Sequence, residues 1–150
     1  MVSPYLPLPP SLAILHYFII QQSIIIHGQG KSILVVDDNE AVRFICRNML
    51  ENMSFSVTEA ADGQEAVELF SENPKEFDLV ILDVVMPKMG GVEAAIRMMD
   101  IRPDIKFIFQ TGYDKGEALI NAPTLSHFSL IQKPYTAYTL SSSLSTQLSL

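Results

Sequence analysis

Tryptophan is absent from this chain of 150 residues, and cysteine occurs once, at Cys46. A single thiol excludes an intramolecular disulfide, and a reducing cytoplasm is the expected compartment. Cys46 stands between Ile45 and Arg47 with no metal-type spacing around it, and reads as a small buried side chain rather than a nucleophile. His16, His27 and His127 are scattered, with no carboxylate or cysteine at ligand spacing. Basic charge is also short: the formal net charge is −7. That balance argues against nucleic acid as a direct partner, because phosphate backbones are met by a Lys/Arg surface.

Charge is missing altogether from both ends, since every Asp, Glu, Lys and Arg lies between Lys31 and Lys133. The expected organisation is an apolar leader over residues 1–30 and one domain over residues 31–150, which is long enough for a full core. Pro4, Pro7, Pro9 and Pro10 exclude regular structure at the very start. Leu12 to Ile26 is almost wholly apolar but is broken by His16, Gln21, Gln22 and Ser23. It is shorter than the roughly twenty residues of a spanning helix. It also lacks the basic n-region and small-residue cleavage site of a signal peptide. The expectation is a segment that packs on the domain or on a partner, with membrane association as the alternative.

What is present from Ser32 onward is an alternation of short apolar runs and amphipathic stretches. Strands are expected at Ile33–Val36, Phe55–Glu59, Phe77–Leu82, Ile105–Phe109 and Phe128–Ile131. Between them, helices are expected from Asn39-Glu40 onward, over Gln64–Phe70, over Gly91–Met99 and over Lys115–Asn121, with a last one from Thr136. In that last stretch Leu140, Leu144 and Leu148 keep an i, i+4 stripe, but serine and threonine dominate between them, so a marginal, frayed helix is expected. Short links between alternating strands and helices imply an α/β fold, a doubly wound five-stranded parallel sheet with helices on both faces.

In such a sheet the strand C-termini share one edge, where ligands bind. Here the runs end in Asp37-Asp38, in Asp83, in Gln110-Thr111 and in Gln132-Lys133-Pro134. Adjacent Asp37 and Asp38 could simply leave a strand through a turn and cap the next helix. Asp83 changes the balance, because a third carboxylate at that edge repels the others unless a cation intervenes. A hard divalent ion with oxygen ligands resolves the repulsion, and Mg²⁺ suits a site with few carboxylates. Lys133 offers only donors and suits a phosphoryl group, as does the Thr111 hydroxyl. Asp83 can then serve as the nucleophile of a phosphoryl transfer.

Four motifs in register closely resemble the receiver domain of two-component response regulators. They are Ile33–Asp38, Ile81–Gly91, Gln110-Thr111-Gly112 and Lys133-Pro134-Tyr135, with Glu59–Gly63 agreeing after the second strand. The resemblance covers about residues 31–140 and implies the flavodoxin-like strand order 2-1-3-4-5. It implies that Asp83 takes a phosphoryl group from a phosphohistidine on a histidine kinase or phosphotransfer protein. It further implies Mg²⁺ bound by the side chains of Asp38 and Asp83 and the main-chain carbonyl of Val85, with Asp37 acting through water. Thr111 and Lys133 would contact the phosphoryl oxygens. A signalling domain of this kind catalyses only its own phosphorylation and dephosphorylation, and hands its state to a downstream protein, with room for a homodimer. Where the family often carries an aromatic residue, three positions before the lysine, this chain has Leu130, with Phe128 on the same strand face.

Three other readings compete. A receiver-fold binding module that no longer cycles phosphate would have lost Asp83, Thr111 or Lys133, and all three are present. A phosphatase of the haloacid dehalogenase type needs a second Asp two positions after the nucleophile, where Val85 stands. Gly28-Gln29-Gly30-Lys31-Ser32 evokes a phosphate-binding loop, but Ile25 occupies the place of its first glycine and Ser32 enters a strand rather than a helix. Those glycines read instead as a flexible joint between leader and domain.

Overall fold

Continuous apolar runs need cover on both faces, and a sheet between two helical layers supplies it. The computed structural model describes residues 7, 9–23, 25–112 and 128–150. In it the runs form β1 (Ser32–Val36), β2 (Ser56–Ala60), β3 (Leu79–Asp83), β4 (Lys106–Thr111) and β5 (Phe128–Gln132). All pair in parallel, in the order β2-β1-β3-β4-β5. This is the doubly wound α/β fold and the order that the resemblance implies.

Successive strand side chains point to opposite faces, and two cores result. Leu34, Val36, Val80, Leu82, Phe107 and Phe109 face α3 (Gly63–Glu72) and α4 (Gly91–Ile101). Ile33, Val35, Leu79, Ile81 and Ile108 face α2 (Glu40–Asn52) and α5 (Ala137–Leu148). Every residue of the central strand β3 is buried. The helices begin where the sequence supplies caps: Asn39 accepts from the amides of Ala41 and Val42, Asp62 from that of Glu65, and Thr136 from that of Thr139. Gly91 starts α4 directly against the end of β3, where a Cβ would run into the Asp83 carbonyl.

Three features depart from the sequence expectations. The last helix spans 12 residues rather than fraying, because Leu140 and Leu144 are fully buried in the second core and outweigh the weak Ser/Thr propensity. The Gly28–Gly30 stretch is a hydrogen-bonded turn rather than a loose joint: Gly28 N–H donates to Met53 O (2.6 Å), and Gly30 N–H donates to Ser54 O (2.8 Å). Ile25 and Ile26 already pack on the second core, and Ile26 N–H donates to Ser141 Oγ at 2.9 Å. Ahead of that turn stands a helix, α1 (Pro10–Ser23), whose Leu12, Ile14, Leu15 and Tyr17 are 49–71% exposed rather than packed on the sheet and its helices. Among the described residues no helix is long and apolar enough to cross a membrane. The helix expected over 115–121 lies outside the described residues.

Candidate functional site

Parallel strands β1 and β3 are neighbours; Asp37 and Asp38 directly follow β1, and Asp83 ends β3. Oxygen atoms of Asp37, Asp38 and Asp83 accordingly lie within 4.8 Å of one another. They line a cavity of about 540 Å³ together with Asn39, Val42, Val85, Met86, Pro87 and Lys133. Asp37 is completely buried, Asp83 nearly so, and Asp38 is exposed to solvent. The Lys133 ammonium reaches in from the end of β5, 2.9 Å from Asp37 Oδ2 and 3.3 Å from Asp83 Oδ2.

Among the described residues, three carboxylates against one ammonium leave about two formal negative charges at one spot, which a divalent ion would neutralise. Burial pushes the Asp83 carboxyl up from its ordinary range, and the Asp37 charge adds to it. Lys133 and the Val85 N–H pull it back without cancelling the rise. At Lys133 burial disfavours the ammonium, but Asp37 and then Asp83 outweigh it and hold its pKa above that of an ordinary lysine. An all-oxygen donor set with unbalanced negative charge fits Mg²⁺ and is poorly matched to a soft metal.

Thr111 ends β4 and is buried. Its carbonyl accepts from the Lys133 N–H at 2.8 Å, which fixes the two strand ends side by side. Its hydroxyl donates to the Gly112 carbonyl at 2.9 Å, and Thr111 is not among the residues that line the acidic cavity. Asp37, Asp38, Asp83, Val85 and Lys133 thus share one cavity, with Thr111 at its edge through the backbone.

Sequence reasoning missed the partners that hold Asp37. Asn39 N–H donates to its Oδ1 at 2.8 Å, and Arg43 donates to its carbonyl at 2.6 Å. Gln110 Nε2 donates to Asp37 Oδ2 at 3.2 Å, and Tyr135 Oη donates to Gln110 Oε1 at 2.7 Å. One signal was available: a glutamine inside the apolar run Phe107-Ile108-Phe109-Gln110 must find a partner when buried.

Known proteins resemble this chain in sequence and in fold. The profile of the response regulator receiver domain matches residues 33–145. The chain is 38% identical over 105 residues to the sensor kinase CckA of Brucella abortus, covering 70% of this chain and 11% of that one. It is 41% identical over 81 residues to the response regulator receiver protein CpdR of the same organism, covering 54% and 65%. Among solved structures, a response regulator receiver domain protein of Clostridium thermocellum superposes with a TM-score of 0.74 at 29% identity, covering 79% of this chain and 94% of that one. The chain therefore spans only part of the length of these curated relatives. With the fold, the strand order and the acidic edge all in agreement, the chain belongs to the response regulator receiver domain family.

Proposed function

We propose that this receiver works in a two-component phosphorelay and accepts a phosphoryl group on Asp83. The observation that carries the reading is the convergence of Asp37, Asp38 and Asp83 with Lys133 at the C-terminal edge of the sheet. The donor is a phosphohistidine on a histidine kinase or phosphotransfer protein. An Asp83 carboxylate oxygen attacks the phosphorus, the P–N bond breaks, and the imidazole leaves with the electron pair and takes up a proton. Water later hydrolyses the acyl phosphate. Apart from its own phosphorylation and dephosphorylation, the domain turns over no metabolite.

Asp38 and Asp83 would hold Mg²⁺ by their side chains and Val85 by its carbonyl, with Asp37 acting through water. When bound, the ion offsets charge on the transferring oxygens. Lys133 has three donors, two of them turned to Asp37 and Asp83 in this structure, and would turn to the phosphoryl oxygens as charge builds there. The Thr111 hydroxyl, a rotor that now bonds Gly112, would add one hydrogen bond to the same group. Residues 31–150 form the receiver unit and residues 1–30 a leader. A kinase-fed relay draws on ATP, which puts the domain in the cytoplasm, and output passes by contact with a downstream protein.

Intact-mass spectrometry after incubation with acetyl phosphate, with and without Mg²⁺, tests this beside Asp83→Asn. A Mg²⁺-dependent phosphoryl adduct that the variant lacks is the expected result. A folded protein that binds Mg²⁺ and gains no adduct would instead be a phosphorylation-silent binding module.

A further inference from the structure

Asp37 is the only one of the three carboxylates with no exposure at all, so its orientation is set entirely by protein groups. Its Oδ1 is held by the Asn39 amide at 2.8 Å, a backbone contact that any residue at position 39 except proline can make. Its Oδ2 is held by two side chains, Lys133 Nζ at 2.9 Å and Gln110 Nε2 at 3.2 Å. Lys133 has work elsewhere in phosphoryl transfer and cannot stay on Asp37 throughout. Gln110 has no such second task, and it is itself fixed from both ends.

The Gln110 backbone carbonyl accepts from Val84 N–H at 3.0 Å, one residue beyond Asp83. Its side-chain Oε1 accepts from Tyr135 Oη at 2.7 Å. The amide can sit only one way round, because a carboxylate needs the N–H side and the hydroxyl can donate to the C=O side. Tyr135 in turn packs on the second core, which also holds Cys46 of α2. The chain of contacts Tyr135–Gln110–Asp37 therefore runs from the α2/α5 layer through the sheet edge to the acidic cavity.

We propose that Gln110 and Tyr135 are positioning residues, a hydrogen-bonded relay that holds the buried Asp37 carboxylate in the orientation the cation requires. This rests on the reading of the acidic cluster as a Mg²⁺ site. Groups that support a metal site from outside its direct ligands typically carry a large share of its affinity. Among the described residues the hydrogen bonds lead from Tyr135 to Asp37 through Gln110, so the relay has a direction, and that direction can be measured.

Mg²⁺ titration calorimetry on the full chain compares wild type, Gln110→Met, Tyr135→Phe and the double variant. Gln110→Met keeps the volume and removes the donor, and is expected to weaken Mg²⁺ binding about tenfold, the lower end for lost supporting contacts. Tyr135→Phe is expected to weaken it less, in the same direction. The double variant should match Gln110→Met alone, since the hydroxyl reaches Asp37 through Gln110. Folded variants with wild-type affinity would reduce Gln110 to a merely satisfied core amide and overturn the relay. So would a double variant whose loss is the product of the two single losses. If Gln110→Met does not fold, the Gln110 side-chain amide resonances decide: they should shift on Mg²⁺ addition in wild type and start from a different position in Tyr135→Phe. Resonances that Mg²⁺ leaves unmoved overturn the relay. A wild-type chain that takes up no Mg²⁺ would overturn the proposed function itself.

Discussion

Replacing Lys133 with methionine keeps most of the side-chain volume and removes, among the described residues, the one cation that faces both Asp37 and Asp83. Asp37 retains its bonds from Asn39 and Gln110 but loses a charge-assisted one. The two carboxylates, with oxygens within 4.8 Å, then repel with nothing between them. At an effective dielectric of about 20 that repulsion is about 3 kcal/mol. Two effects reduce it. The Lys133 side chain is 21% exposed, so part of its charge is already screened. Asp83, whose pKa is already raised by burial and by Asp37, can take up a proton and escape the repulsion. A net loss of about 2 kcal/mol is the expected outcome at neutral pH without divalent ions. Urea unfolding followed by circular dichroism, in EDTA and in saturating Mg²⁺, reads it directly. The deficit should shrink by half or more in Mg²⁺, which would replace the missing charge, and should shrink again near pH 5. The variant should also bind Mg²⁺ more tightly than wild type. An unchanged midpoint, or a deficit of the same size in EDTA, in Mg²⁺ and at pH 5, would refute the electrostatic reasoning.

Other outcomes follow from single contacts. Gly91→Ala puts a Cβ against the Asp83 carbonyl and Val84 Cα, backbone atoms that cannot rotate away, and should cost about 1–3 kcal/mol. Gly112→Ala meets nothing within 4 Å among the described residues and should stay within about 0.5 kcal/mol of wild type, so equal effects in thermal melts would contradict the packing argument. Because the folded-state pKa of Lys133 is raised, its contribution to stability is fully present below the ordinary lysine value of 10.5 and is lost as pH rises through the higher folded value. Wild type should therefore lose part of its advantage over Lys133→Met in urea melts above that pH. Cys46 is fully buried and its thiol is pushed up to about 11, so a disulfide reagent at pH 8 should label it only as fast as the protein opens.

Much of this arrangement is legible in the sequence itself. A strand covered on both faces is a continuous apolar run, which is why Ile33–Val36 and Leu79–Leu82 stand out in the sequence. The parallel topology then puts their terminal aspartates at one edge whatever the helices do. Strand limits drift by one or two residues: Phe77 and Phe55, read as strand, are buried loop residues that precede β3 and β2. The Gln110–Tyr135 contact is invisible to periodicity because it joins residues 25 apart across a strand and a loop. α5 is firmer than its local sequence suggests for the opposite reason. Its serines and threonines weaken it locally, while Leu140 and Leu144 gain their stabilisation only once the second core exists.

The position of the phosphoryl group decides whether Asp83 is the phosphoacceptor. An acyl phosphate is reduced by borohydride to the alcohol, so phosphorylated aspartate is converted to homoserine. Peptide mapping after acetyl phosphate, Mg²⁺ and borohydride should find homoserine at position 83 and aspartate intact at 37 and 38. Homoserine at Asp37 or Asp38 instead, or aspartate intact at all three positions in a protein that has gained a phosphoryl adduct, would contradict that role for Asp83.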